Sequence, residues 1–410
     1  MSISWRRFAS ALVLAAALTF TACDTTNSNN LGFFTDGGGG ANGLTLGFAA
    51  QPTIVLNAGN GGSANPQIVA VGRFNNDANL DFAVANNGTN DVSVFLGDGA
   101  GGFGAEQLFA TAASGPTAIA VGDFDGDNDL DLAVATASQL SILLNDGTGA
   151  FPNRNDFNVG TSNRGIGVAD FDGVNGLDVA IADAGNDSVN VLLNDGANGF
   201  NAFNFTSAGN LSNIRGLVVA NLNGDNFPDL AIANFGDPFG AFWLSSGNAA
   251  NLFPAANASN GLPMPAGATA QMIAAGDLDG DGIDDIAIPS IDGNNSVLRT
   301  FVNNGAGVFA IGTTTPVSQD PFGAAMGDFN LDGRVDPVAG SAFGLNLNGT
   351  GEAAIFLGNG DGTVAAQQVF SVIANQVVRS IAVGDFNGDN KPDIITAAGG
   401  AAHLLLNTSN

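Results

Sequence analysis

The stretch DFDGDNDLD, at residues 123–131, has carboxylates at its first, third, fifth and ninth positions and a glycine within the turn. Apolar segments lie on either side of it, at residues 118–122 and 132–135. Several carboxylate oxygens on one short loop are what a hard cation requires, and Ca²⁺ takes about six to eight oxygen ligands. This stretch, which we call an acidic loop, therefore predicts a calcium site.

The acidic loop recurs along the whole chain. The copies are spaced by 47 to 57 residues, and their first positions are Arg73, Asp123, Asp170, Asn221, Asp277, Asp328 and Asp385. A period of this length is typical of repeat architectures in which each repeat is one supersecondary unit. The sequence therefore predicts seven such units.

The composition indicates an all-β protein. The 410 residues include 59 glycines and many short runs of Val, Ile, Leu and Phe, without the triplet repeat of collagen. The formal net charge is −28, and 21 of the 38 acidic residues lie at positions 1, 3, 5 or 9 of the seven loops. Nucleic acid is not an expected partner, because phosphate binding needs a basic surface and Lys391 is the only lysine.

The N-terminus has the features of an export signal. Residues 1–22 contain Arg6 and Arg7 followed by an apolar run that is too short for a membrane span. Cys23, the only cysteine, follows directly, and this placement resembles a bacterial lipobox, which implies lipidation of that cysteine. The alternative is an ordinary secretory signal with an unpaired cysteine nearby. Residues 23–43, rich in Asn, Thr and Gly, are expected to form a flexible tether.

Each unit has the parts of a propeller blade. In the second unit, four strand segments alternate with the acidic loop and with the glycine turn NDGTGAF at residues 145–151. Four short strands in about 50 residues predict a blade of a β-propeller. The seventh unit ends after its third strand, whereas residues 46–56 resemble a fourth strand. We therefore expect residues 44–410 to form a seven-bladed propeller with four-stranded blades, closed when the N-terminal strand joins the last blade.

The motifs also resemble a known family. The sequences GDFDGD, DLAVA and NDGTGAF are similar to the FG-GAP/VCBS repeats of bacterial surface proteins and of the integrin α-subunit propeller. This resemblance implies the propeller fold. It also implies that calcium is bound by side chains at loop positions 1, 3, 5 and 9 and by the backbone carbonyl at position 7. A parallel β-helix with a nine-residue calcium repeat is rejected, because these loops return every ~50 residues rather than every ~9.

The seven loops are unequal as predicted calcium sites. The second and fifth loops carry four carboxylates, the sixth and seventh three, and the fourth two, which predicts four firm sites and a weaker one. The third loop is doubtful because Val174 occupies position 5, and Arg73 should repel a cation from the first loop. The alternative for any loop is an Asx turn satisfied by its own backbone. The predicted ligands, with the position 7 carbonyls included, are Asp123, Asp125, Asp127, Asp129, Asp131, Asp170, Asp172, Asp178, Asn221, Asn223, Asp225, Phe227, Asp229, Asp277, Asp279, Asp281, Ile283, Asp285, Asp328, Asn330, Asp332, Arg334, Asp336, Asp385, Asn387, Asp389, Lys391 and Asp393.

A ligand is expected on the face opposite the acidic loops, by analogy with the integrin propeller. Arg164, Arg215 and Arg379 each lie six residues before position 1 of a loop. They predict either an anion-recognising ring near the channel mouth, for uronic acids or carboxylate side chains, or packing and ion pairing between blades. Trp243 and nearby phenylalanines form either a sugar-stacking platform or part of the core.

No enzyme activity is expected from this sequence. The only histidine, His403, lies in an apolar strand, with no serine, cysteine or carboxylate motif beside it. The predicted function is that of a calcium-binding, lipid-anchored monomer of the outer membrane or cell surface. It would serve adhesion by recognising a glycan or protein ligand. The alternatives are a structural scaffold of an envelope complex and a polysaccharide-processing enzyme.

Overall fold

The computed structural model describes residues 46–56, 64–197, 199–205, 212–225, 227–235, 239–247, 252–253, 261–265, 267–318, 320–341, 350–374 and 376–409. These residues form β-strands joined by turns, and no helix occurs among them. The strands group into seven antiparallel sheets. The predicted signal peptide (1–22), the predicted tether (23–43) and the predicted lipidation site Cys23 lie outside the described residues.

The first strands of the chain are two short segments, β1 (Phe48–Ala50) and β2 (Ile54–Val55), which belong to the last blade. The next four sheets each contain four strands that follow one another along the chain. Blade 1 contains β3 (Pro66–Gly72), β4 (Asp81–Asn86), β5 (Asp91–Phe95) and β6 (Gln107–Ala110). Blade 2 contains β7 (Ala118–Gly122), β8 (Asp131–Ala135), β9 (Gln139–Leu144) and β10 (Asn153–Asn158). Blade 3 contains β11 (Asn163–Ala169), β12 (Asp178–Asp183), β13 (Ser188–Asn194) and β14 (Phe200–Phe205), and blade 4 contains β15 (Ile214–Ala220), β16 (Asp229–Asn234), β17 (Phe239–Trp243) and β18 (Leu262–Pro263).

The remaining blades follow the same plan with two interruptions. The first strand of blade 5 is split into two segments, and the outer strand of blade 7 comes from the N-terminus. Blade 5 contains β19 (Ala268–Ala270), β20 (Ala274–Gly276), β21 (Asp285–Asp292), β22 (Asn295–Asn303) and β23 (Phe309–Pro316). Blade 6 contains β24 (Pro321–Gly327), β25 (Asp336–Ser341), β26 (Thr350–Ile355) and β27 (Gln368–Ala374). Blade 7 contains β28 (Ile381–Gly384), β29 (Asp393–Ala398) and β30 (Ala401–Asn407), with β1 and β2 outside β30.

The N-terminal strands close the ring as the sequence predicts. Both pair with β30, in the registers Phe48↔Asn407 and Ile54↔Ala402. The first strand of blade 7, β28, also contacts the first strand of blade 1, β3, so the circle of blades is complete. The predicted all-β, seven-bladed propeller is therefore confirmed.

The core lies between neighbouring blades. Successive side chains of a strand point to opposite faces of the sheet. In β8, Leu132 and Val134 accordingly pack in a cluster with residues of blade 1, whereas Ala133 packs in a cluster with residues of blade 3. This arrangement buries both faces of the middle strands, which explains why the second strand of each blade is a continuous buried segment.

Candidate metal centres

Every acidic loop connects the first strand of a blade to the second. The loop at residues 123–131, for example, begins after β7 and ends at the first residue of β8. Because the seven blades repeat the same strand order around one ring, all seven loops lie at the same end of the propeller. We call this end the loop face and the other end the opposite face.

The aspartate at position 9 is the most constrained residue of each loop. It is 0% exposed in all seven, and one of its oxygens accepts a backbone N–H from position 2 at 2.7–2.9 Å. Its other oxygen accepts the N–H of a residue at or just after the end of the third strand at 2.7–2.8 Å. An ionised carboxylate offers about four lone-pair sites, so about two remain that could bind a cation. The position 9 residues are Asp81, Asp131, Asp178, Asp229, Asp285, Asp336 and Asp393.

Positions 1, 3 and 5 shape the loop through Asx-type turns. In the second loop, Asp123 accepts the N–H groups of Gly126 and Asn128 at 2.7 and 3.0 Å. Asp127 at position 5 accepts the N–H of Asp129 at position 7, at 2.8 Å. The same bond from position 7 to position 5 occurs at Phe227, Ile283, Arg334 and Lys391. The hydrogen bonds within the loops are thus those of Asx turns. The backbone carbonyl at position 7 takes no part in these bonds.

Three loops bring carboxylates together at ligand distances. One oxygen from each of three aspartates lies within 4.8 Å of the others in each cluster. Two oxygens bound to one Ca²⁺ are at most about 5 Å apart, since each Ca–O distance is about 2.3–2.6 Å. The donor sets therefore fit calcium. The clusters are Asp123, Asp125 and Asp127 in the second loop, Asp170, Asp172 and Asp178 in the third, and Asp277, Asp279 and Asp285 in the fifth.

The third loop is better formed than its sequence indicates. Val174 at position 5 supplies no side-chain oxygen, yet Asp178 at position 9 joins Asp170 and Asp172 in the cluster. Within the described residues, the fourth, sixth and seventh loops contain no such cluster of three carboxylates, and each has asparagine at position 3. In the sixth loop, Arg334 lies 3.6 Å from Asp332, and this cation competes for a predicted ligand.

Burial controls the electrostatics of position 9. It raises the pKa of Asp131, Asp178, Asp229, Asp336 and Asp393 to about 7, against the lowering effect of the two backbone N–H groups. It raises the pKa of Asp285 to about 6. Neighbouring loop carboxylates add to these shifts because like charges oppose ionisation. A proton or a cation stabilises these groups at neutral pH.

The structure also shows a ring of hydrogen bonds that the sequence analysis missed. The backbone carbonyl at position 2 of every loop accepts a hydrogen bond from the next blade. The side chains of Asn145, Asn194, Ser245, Asn303 and Asn407 are the donors to five of these carbonyls. The backbone N–H groups of Gly362 and Gly101 are the donors to the other two, and the bond from Gly101 to Phe386 joins blade 1 to blade 7. The signal available in the sequence was the asparagine that precedes an Asp-Gly turn, at Asn145 and Asn194.

The three arginines of the common register lie near the start of the first strands, at the opposite face. Arg164 and Arg379 are exposed, whereas Arg215 is half-buried over the ring of Phe235, 3.9 Å from its centroid. Arg215 donates to Gln271 at 2.6 Å, and Arg379 lies 3.5 Å from Gln67. Both contacts join neighbouring blades, as the packing interpretation predicts. None of the three lies within 4.0 Å of a carboxylate oxygen among the described residues, so the predicted ion pairing is not found there.

Trp243 and His403 both lie in the core. Trp243 is 1% exposed and packs in a cluster with residues of blades 3 and 4, so its ring has no surface available for a sugar. The core alternative describes it, and the platform hypothesis is wrong for this residue. His403 is 1% exposed and lies opposite Thr396 in the pairing of β29 with β30.

The comparisons with solved structures concern the fold alone. The extracellular domain of a one-component system from B. thetaiotaomicron has a TM-score of 0.51 at 12% identity; the match covers 87% of this chain and 39% of that chain. A humanized mutant of the Chaetomium thermophilum Polycomb Repressive Complex 2 contains a chain with a TM-score of 0.57 at 10% identity, covering 87% of this chain and 97% of that chain. No curated protein matches the sequence. The described residues form no helix long and apolar enough to cross a bilayer.

The comparison with protein families is specific to the repeats. The FG-GAP-like repeat family matches residues 73–134, 123–173, 221–288 and 277–339, which together exceed half of the chain. The FG-GAP repeat family matches residues 377–407, in the last blade. These matches cover acidic loops and the strands around them in a closed seven-bladed propeller. The chain belongs to the FG-GAP repeat family.

Proposed function

We propose that this chain is an exported β-propeller that binds calcium in its acidic loops and uses its opposite face to recognise a glycan or protein ligand at the cell surface. FG-GAP propellers are typical of extracellular or exported recognition and scaffold domains. The observation that carries the calcium part is the convergence of three carboxylate oxygens within 4.8 Å in each of three loops.

Calcium at these sites would supply positive charge and would be coordinated by the loop oxygens, and no chemistry beyond that is proposed. In the second loop, Asp123, Asp125 and Asp127 would hold the ion. In the third and fifth loops, the position 9 residues Asp178 and Asp285 would also bind it. Since position 9 receives N–H groups from the loop and from the third strand, a cation there would hold the loop against the rest of its blade. The role is structural, and the proposal assigns the protein no catalytic activity.

The placement of the chain in the cell is part of the same proposal. The export signal in residues 1–22 and the lipobox-like position of Cys23 support an envelope protein that is anchored by a lipid. A lipid on Cys23 would place the propeller beyond the tether of residues 23–43, with the folded domain in solution. Mass spectrometry of the membrane fraction for a diacylglyceryl group on Cys23 tests this part, and an unmodified cysteine would contradict it.

Calcium binding is tested with a matched pair of substitutions. Asp127→Ala removes a clustered carboxylate that also accepts an N–H from position 7, at 2.8 Å. Asp77→Ala removes the same turn acceptor, at 2.7 Å, from the first loop, where Arg73 opposes a cation. Calorimetric titration should show weaker calcium binding at one site in the Asp127 variant and unchanged binding in the Asp77 variant. Equal effects of the two changes would mean that the loops are turns only.

Recognition is tested on residues 44–410 produced without Cys23. A glycan array, probed in calcium and again in chelator, should show calcium-dependent binding to one coherent class of sugar. A blank array with a folded, calcium-loaded protein would leave a protein partner as the ligand. Failure to bind either kind of ligand would contradict the recognition part of the proposal.

A further inference from the structure

One residue of each blade lies six residues before position 1 of the acidic loop, at an interruption of the first strand or just before that strand begins. The pairing of first and second strands shifts register at this point in blades 1, 3, 4 and 6. In blade 5 the residue lies between β19 and β20, and in blades 2 and 7 it precedes the first strand. Bulges of this kind redirect a side chain and are frequent beside binding sites. The seven residues, which we call the mouth ring, are Gln67, Thr117, Arg164, Arg215, Gln271, Phe322 and Arg379.

The mouth ring is accessible. The first strands surround the central channel of a propeller, and the mouth ring lies where these strands begin, at the opposite face. Arg164 and Arg379 are exposed, and the remaining five side chains are half-buried. The ring order places blade 7 across the channel from blades 3 and 4. Arginines therefore lie on both sides of the mouth.

Two arginines of the mouth ring are neighbours, and neither forms an ion pair with a carboxylate of the described chain. Arg164 and Arg215 occupy adjacent first strands, whose backbones approach so closely that a Cβ on Gly165 would lie 2.6 Å from the carbonyl oxygen of Arg215. Burial and then the charge of Arg164 lower the pKa of Arg215 from its usual value. No carboxylate oxygen of the described chain lies within 4.0 Å of either guanidinium. This absence is unusual in a chain with a net charge of −28.

The contacts of Arg215 fix its guanidinium and leave its buried Nε without a hydrogen-bond partner. The stacking on Phe235, at 3.9 Å, and the bond to Gln271, at 2.6 Å, hold the group in place. Its Nε is buried and has no hydrogen-bond partner in the described structure. Packing between blades explains the ring contact and the bond to Gln271 but leaves the buried Nε donor unsatisfied, which is costly for a buried polar group. A guanidinium held in place in this way is well suited to an anionic oxygen, to which its Nη groups can donate.

We propose that the mouth ring binds a carboxylated saccharide, with the carboxylate of a uronic acid placed between Arg164 and Arg215. The uncharged members support this class of ligand. The amide oxygens of Gln67 and Gln271 accept hydrogen bonds from Arg379 and Arg215, and their amide nitrogens retain N–H donors for sugar hydroxyl groups. The half-buried ring of Phe322 suits a pyranose face. This inference rests on the proposed recognition function and identifies its ligand class and its residues.

The test measures binding of a galacturonate trisaccharide to the calcium-loaded protein by calorimetry, at low and high salt. A neutral galactose trisaccharide and a glutamate-rich peptide serve as comparison probes. Arg164→Gln and Arg215→Gln should each weaken binding of the galacturonate probe at least tenfold. Arg154→Gln is the matched control, because it removes the same charge from the outer strand β10, where Arg154 pairs with Asp156 at 3.0 Å. It should leave binding unchanged.

The outcomes separate this inference from the proposed function. Wild-type affinity in the Arg164 variant, whose exposed side chain is not needed for folding, would overturn the inference, as would absence of galacturonate binding by the wild-type protein. Equal binding of the neutral probe would overturn the role of the carboxylate, and preferential binding of the peptide would overturn the saccharide class. The calcium-dependent rise in melting temperature, measured on the same samples, tests the proposed metal sites independently of all these results.

Discussion

Removal of calcium should destabilise the protein much more at pH 8 than at pH 5. The reason is the buried position 9 carboxylate, whose pKa is about 7 in Asp131 against 3.8 for an exposed aspartate. A group with a raised pKa binds its proton more tightly in the folded state. Its contribution to stability is therefore complete below about pH 4 and is lost as the pH rises through 7.

The magnitude is large. A rise of the pKa from 3.8 to about 7 corresponds to about 4 kcal/mol for one such group. Four further position 9 residues have a pKa of about 7, and Asp285 has one of about 6. The free-energy cost of ionising all six would exceed the ~5–15 kcal/mol by which a typical domain is stable. We therefore expect most of these groups to be protonated in the metal-free fold, and bound calcium would favour the ionised form by replacing the protons.

The assay is thermal unfolding in metal-free buffer and in excess calcium, from pH 5 to pH 8. The melting temperature of the metal-free protein should fall across this range, and the difference caused by calcium should grow. Calcium binding at pH 6.5 should release protons, which calorimetry detects in buffers of different ionisation enthalpy. A metal-free protein whose stability is flat or rises from pH 5 to pH 8 would refute the reasoning, because the buried aspartates would then be ionised without a cation.

Three further substitutions test the fold around the sites. Leu331 has a φ of 57° at position 4 of the sixth loop, where five other loops have glycine. Leu331→Gly should raise the free energy of unfolding, measured by chemical denaturation, by about 0.5–1 kcal/mol. A loss of stability would mean that the leucine is not strained. Asn303→Ala should lower the free energy of unfolding by about 2–4 kcal/mol, because it leaves the backbone carbonyls of Leu222 and Asp284 without this donor. The control Asn304→Ala changes the exposed neighbour in the same turn and should lower it by less than about 1 kcal/mol. Phe48→Ala removes ring contacts with Phe329 and Phe370 and should lower the free energy of unfolding by about 2–3 kcal/mol. It should also increase hydrogen exchange in the last blade. Unchanged exchange in β30, the strand that pairs with β1, would contradict the closure by β1.

The period of the acidic loops was sufficient to predict the fold because each repeat is a local unit. The DFDGD loop, the apolar strand after it and the NDG turn all lie within about 50 residues, and local patterns specify hairpins well. Closure was predictable because residues 46–56 supply the strand that the seventh unit lacks. Both features depend on short-range sequence signals.

The geometry of the sites depends on contacts between blades and between strands that are far apart in the sequence, so local patterns do not predict it. The third loop is doubtful from its sequence because Val174 offers no oxygen at position 5, whereas folding brings the three predicted ligands Asp170, Asp172 and Asp178 together. Burial of Trp243 depends on its neighbours in blades 3 and 4 and could not be read from the local cluster of aromatic residues. The bulge that redirects Arg164 is likewise a property of strand pairing.

The first loop separates two functions that the repeat motif combines. Arg73 stands at its position 1, where a cation is disfavoured, yet Asp81 keeps both of its backbone hydrogen bonds, at 2.7 and 2.8 Å. The carbonyl of Phe74 at position 2 also keeps its donor from blade 2. The aspartate at position 9 and the bond between blades therefore occur in every repeat, including the one in which a cation is disfavoured. The carboxylates at positions 1, 3 and 5 vary between repeats, and under the proposed function they decide, together with position 9, which loops would hold an ion.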